Sequence, residues 1–126
     1  MINSFNDLLN SAKEQTNPQR LLLMFAKAQA DDEKLKGGLI TPTLCIDKLP
    51  EEISSFKDLI AEADDVSSEW DFIFVGGLSG QNNAVPSSEE AEPHLTRMTE
   101  QLASGEGLAQ YLVFNRKEQL ISIHPA

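Results

Sequence analysis

RLLLMFAKAQ, residues 20–29, carries six consecutive apolar side chains directly after its arginine. So short and continuous a run lacks the alternation of a strand with one wet face. It suits a strand buried on both faces. A strand of that kind belongs inside a sheet with helices packed on it, an α/β (α+β) domain.

Upstream, Ser4-Phe5-Asn6-Asp7 has the serine cap and nearby acid of a helix start, close to a capping box. Phe5, Leu8, Leu9 and Ala12 then follow the spacing of one apolar helix face, and Asn17-Pro18 stops it. Downstream, a polar segment at residues 30–38 ends in two glycines. LITPTLCID, residues 39–47, reads as a second strand in which Pro42 cannot donate to a ladder and marks an edge or a bulge. Pro50 stands where a first helical residue belongs, and Ile53, Phe56, Leu59, Ile60 and Ala63 trace one stripe. Residues 70–75 form a third strand. Ser87 and Glu90 stand at capping-box spacing ahead of a third helix that must place Pro93 in its first turn or bend there. Leu95, Met98 and Leu102 give that helix its apolar side, and Gly105 is its stop. Strands at residues 108–114 and 119–123 flank a polar turn as a closing hairpin.

The expected order is α-β-β-α-β-α-β-β, with helices at about 4–15, 50–63 and 93–104, in a single domain over residues 1–126. Strand–helix–strand steps after residues 39 and 70 imply parallel crossovers, while the first connection and the closing hairpin imply antiparallel neighbours. The expectation is therefore one mixed β-sheet of about five strands.

The chain has 126 residues, 40% of them hydrophobic and 24% charged, as a folded globular protein has. No apolar run approaches the roughly 18 residues that span a bilayer, and the first residues read as no secretory signal. The expected compartment is the cytoplasm. Net charge is −10 and unevenly spread: residues 47–71 hold nine acids against Lys48 and Lys57. Such a surface repels phosphate backbones and anionic lipid, so neither nucleic acid nor membrane is expected as a partner. Glu52, Asp58 and Glu62 lie outside the apolar stripe of the second helix. They read first as a solubilising face, and beyond that as a docking strip for a basic protein.

A strand, a glycine-rich segment and a helix follow one another over residues 72–93, the order in which many proteins cradle a phosphate. The chemistry is absent. Gly80 is followed by Gln81-Asn82-Asn83, no lysine or arginine stands between it and Arg97, and Gly77-Leu78-Ser79-Gly80 lacks the last glycine of a nucleophile elbow. A tight turn or close packing is the favoured reading of this segment. The alternative is a contact for an uncharged small ligand or a partner through Gly76, Gly77, Ser79, Gly80, Gln81 and Asn82.

Only His94 and His124 are available for acid–base work, and Glu90 with His94 would give at most two metal ligands across a proline. Cys45 is the only cysteine. Asp47 on the same strand face raises a thiol pKa, the wrong direction for a reactive thiolate, and buried structural cysteine is the default. Asp47 and Lys48 could pair at the strand end, and the Trp70 indole N–H needs a partner. No catalytic residue, metal site or cofactor is expected.

The segments SFNDLLNSAKEQTNPQRLLLMFA, LCIDKLPEEISSFKDLIAEA and WDFIFVGGLSG resemble those of a group of small uncharacterised proteobacterial proteins, some labelled ribonucleotide reductase subunit alpha. The resemblance covers residues 5 to about 114. It implies at most an association with the reductase, because one cysteine cannot supply that enzyme's disulfide chemistry. The functional expectation is a cytoplasmic non-enzymatic interaction or accessory protein with a protein partner, basic in character or a second copy of the chain as a homodimer. The alternative is a small-ligand-binding protein or enzyme using residues 76–83.

Overall fold

A computed structural model describes residues 4–15, 18–29, 39–80, 84–104 and 111–121. The elements in chain order are α1 (Phe5–Lys13), β1 (Gln19–Gln29), β2 (Leu39–Lys48), a 3-10 turn (Pro50–Glu52), α2 (Phe56–Val66), β3 (Phe72–Ser79), α3 (Ser88–Ser104), β4 (Leu112–Asn115) and β5 (Leu120–Ile121). The five strands form one sheet in the order β2-β1-β3-β4-β5.

β1 is interior, paired with β2 on one side and β3 on the other. Its six apolar residues are all buried and divide between the two faces of the sheet. Leu21, Leu23 and Phe25 join Phe5, Leu8 and Leu9 of α1, Phe56 and Leu59 of α2, and Phe114. Leu22, Met24 and Ala26 join Ala91, Met98 and Leu102 of α3. The chain thus builds three layers, with α1 and α2 on one face and α3 on the other. Burying a Leu or Phe contributes about 1.5–3 kcal/mol each, so the doubly covered strand is the energetic centre of the fold.

The sheet is not mixed. Every hydrogen-bonded pair of strands is antiparallel. β2 and β3 do run in the same direction, as a strand–helix–strand step implies, but β1 lies between them. The second step fails differently: β4 runs antiparallel to β3 and pairs with its first half, Phe72 to Val75, while α3 lies over β1 and β2 instead of carrying the chain back along β3.

Local signals explain most boundaries. The Ser4 hydroxyl accepts from the Asp7 amide and caps α1, and Ser55 does the same for α2 through Asp58. Pro50 begins only the 3-10 turn, and α2 starts at Phe56 and runs to Val66, later than its stripe suggests. Ser87 and Glu90 form the expected capping box, and α3 continues through Pro93 at an exposed position near its start. Pro42 marks both an edge and a bulge: β2 is the edge strand, and the register slips between Phe25 and Ala26, opposite Leu44 and Pro42.

Candidate functional site

The glycine segment is mostly strand. Gly76, Gly77 and Ser79 belong to β3, where they pair with Leu22, Leu21 and Gln19 of β1. That correction has a physical cause: a paired neighbour supplies the ladder hydrogen bonds and overrides the weak strand preference of glycine. Close packing explains two of the glycines. A side chain at Gly80 would place its Cβ 1.8 Å from the carbonyl oxygen of Ala84, and one at Gly76 would meet the Tyr111 ring at 3.1 Å. Gln81 and Asn82 lie outside the described residues.

Gly77 faces the α1 side of the sheet, where it opens a groove of about 250 Å³. Leu8, Leu21, Val75 and Leu112 form its apolar wall, and Ser11, Gln15 and Gln19 supply its polar groups. Ser79 positions one of them: the Gln19 amide nitrogen donates to the Ser79 hydroxyl at 2.8 Å, which lays the carboxamide across Gly77. Of the candidate residues, the structure therefore gathers Gly76, Gly77 and Ser79 at or beside one groove, while Gly80 is buried against Ala84. Sequence reasoning missed the α1 contribution from Ser11 and Gln15, because docking of the helix brings it there. A glycine pair inside a strand was the one signal available, since each glycine leaves space on the face its side chain would have covered.

Glu52, Asp58 and Glu62 are exposed, as their positions off the apolar stripe require, and they line a second, smaller hollow of about 160 Å³ with Ile53, Ser54 and Leu59. Each also has an internal role. Glu52 accepts from the Leu49 amide at 2.7 Å, Asp58 accepts from the Ser54 hydroxyl, and Glu62 pairs with Lys48 at 2.7 Å.

Lys48 is thereby drawn away from Asp47, contrary to the sequence expectation. Asp47 instead holds Arg20 at 2.6 Å and accepts from the Ser88 hydroxyl, and Arg20 also donates to the Pro86 carbonyl. This network joins β1, β2 and the start of α3. Cys45 is half-buried, and desolvation raises its thiol pKa; the direction is the one expected, but the cause is burial and not Asp47.

Trp70 is 2% exposed, and its indole donates to Asp64 at 3.0 Å. The Arg116 guanidinium lies 3.8 Å above the Trp70 ring and bonds Asp64 through both terminal nitrogens. The Arg116 hydrogen bond, ahead of any other cause, holds the Asp64 carboxyl below its ordinary value.

His94 is exposed on α3, Glu90 is used by the cap, and His124 falls outside the described residues. Among the described residues, no group of three or more His, Cys, Asp or Glu is placed to hold a metal ion, and no helix is long and apolar enough to cross a membrane. Comparison of the chain with protein-family models, curated proteins and solved structures found no match.

Proposed function

We propose that this protein is a non-enzymatic cytoplasmic interaction or accessory protein that receives a basic protein partner on the outer face of the 3-10 turn and α2. The observation that supports this reading is the gathering of Glu52, Asp58 and Glu62 around one exposed hollow. Residues 47–71 around them carry a net charge of −7. An acidic face accelerates encounter with a basic partner more than it tightens the complex, and salt screens the effect. It also opposes contact with nucleic acid and anionic membranes. Two copies of such a face repel each other, so a homodimer would have to use another surface.

The test begins with affinity purification from the native cell, with ribonucleotide reductase as one defined bait suggested by the sequence resemblance. Association of the recovered partner is then compared for the wild type and the triple variant Glu52→Lys, Asp58→Lys, Glu62→Lys. Association at low salt should slow by about tenfold or more in the variant, and the two rates should converge as salt is raised. Far-UV circular dichroism checks that the loss of the Glu52 cap has not altered the fold. An unchanged low-salt association rate would refute docking on this face.

A further inference from the structure

We propose that the groove between α1 and the sheet, floored by Gly77, binds a small non-anionic ligand with an apolar ring and a hydrogen-bond donor. Among the described residues, none that lines the groove is charged, although the chain is 24% charged with a net charge of −10. An anion entering it would lose hydration and find no cationic partner among those residues. An anion is opposed further, by the net charge and by the carbonyl end of α1, whose last turn contributes Ser11 and Ala12. The volume of about 250 Å³ equals roughly eight waters of bulk liquid, room for one ring with a short substituent.

The lining is two-sided. Leu8, Leu21, Val75 and Leu112 offer an apolar wall to a ring face. Gln15 and Gln19 offer carboxamides whose nitrogens donate within the protein, to the Ser11 carbonyl at 3.1 Å and the Ser79 hydroxyl at 2.8 Å. An amide oxygen carries two acceptor positions, so the exposed Gln15 carboxamide makes this rim an acceptor edge suited to an N–H or O–H on the ligand. The groove shares no residue with the acidic hollow, so the proposal stands or falls independently of partner docking.

Gly77 provides a folded control. A Cβ there would lie 3.3 Å from the Gln19 side-chain oxygen, and a flexible side chain can give by the few tenths of an ångström required. Gly77→Val therefore fills the floor in a residue type that favours strands. The experiment is an NMR titration of the full chain with benzamide, against benzoate as an anion of the same size, each to about 10 mM. Benzamide should produce saturable shifts at Ser11, Gln15, Gln19 and Gly77. Benzoate and the Gly77→Val variant should each show binding at least about tenfold weaker. The proposal is overturned by absent or non-saturating shifts at those residues, by benzoate binding as well as benzamide, or by Gly77→Val binding like wild type. Shifts of the same resonances on simple dilution of the protein, with benzamide silent, would assign the groove to a second copy of the chain and also refute it. Should Gly77→Val lose its native spectrum, Gln15→Leu at an exposed position serves instead. Several-fold weaker benzamide binding supports the proposal there, and unchanged binding overturns it.

Discussion

Replacing Arg116 by methionine should destabilise the protein by about 2 kcal/mol, although Arg116 is partly exposed and lies in a turn. The side chain stacks on Trp70 at 3.8 Å, donates to the backbone carbonyls of Trp70 at 2.9 Å and Ser68 at 2.7 Å, and grips Asp64 through two nitrogens. A stack of this kind contributes about 0.5–1 kcal/mol. The pair with Asp64 is about one-third exposed on both sides, 37% and 34%, so solvent screening limits it to under about 1 kcal/mol. The two carbonyl bonds add a few tenths each, since water replaces the donor when it is removed. For a chain of this length the total corresponds to a fall in Tm of roughly 7 °C. Far-UV circular dichroism with urea is the right assay, because Trp70 is the only tryptophan and its fluorescence would change with the stacking itself. Arg116→Lys should recover less than half of the loss, since a point charge cannot reach four acceptors or stack as a plane. A double-mutant cycle with Asp64→Asn should show the two losses to be coupled. A loss under about 0.5 kcal/mol for Arg116→Met, or full rescue by lysine, would refute the clamp.

Three further outcomes follow from the geometry. Leu22→Ala and Leu23→Ala, adjacent in β1 but on opposite faces, should each cost about 2–5 kcal/mol in urea unfolding, whereas a strand with one wet face would lose stability at only one of them. Gly80→Ala should destabilise by more than about 1 kcal/mol because its Cβ meets a backbone oxygen, while Gly77→Ala should be near neutral because it meets only a side-chain end. The Asp64 pKa is lowered by folding, so its contribution is present above its ordinary pKa of about 4 and lost as pH falls through the lower folded value. Asp64→Asn should therefore be less stable than wild type near neutrality, with the gap in urea midpoint closing as pH falls below about 4.

The elements were legible where local chemistry decides them. Ser4, and Ser87 with Glu90, act through neighbours a few residues away, Pro42 acts through its own missing amide, and β1 announces itself by composition, whereas Pro50 masked the true cap of α2 at Ser55. What could not be read was spatial order. No local signal says that β1 inserts between β2 and β3, and without that fact neither the antiparallel sheet nor the extension of β3 through Gly77 follows. The site divides in the same way. The exposure of Asp58 and Glu62 was legible because it follows from helical periodicity, while Glu52 is exposed in the 3-10 turn outside that helix. The groove was not legible, because Ser11, Gln19 and Gly77 line one space only once α1 has docked.

The hairpin turn between β4 and β5 also bears on how the chain reaches its fold. Glu118 adopts a φ of 62°, a backbone conformation unusual outside glycine, and from there its carboxylate accepts hydrogen bonds from the Phe5 and Asn6 amides. The N-terminus of α1 is thus completed by a residue 113 positions further along the chain. Until the hairpin forms, that terminus has Ser4 and water to satisfy it, and the apolar face of Phe5, Leu8 and Leu9 has no Phe114 to close over it. Docking of α1 therefore waits on one of the most widely separated contacts in the fold, the kind whose loop-closure cost slows folding, and a chain that has not yet made it leaves apolar surface open to aggregation.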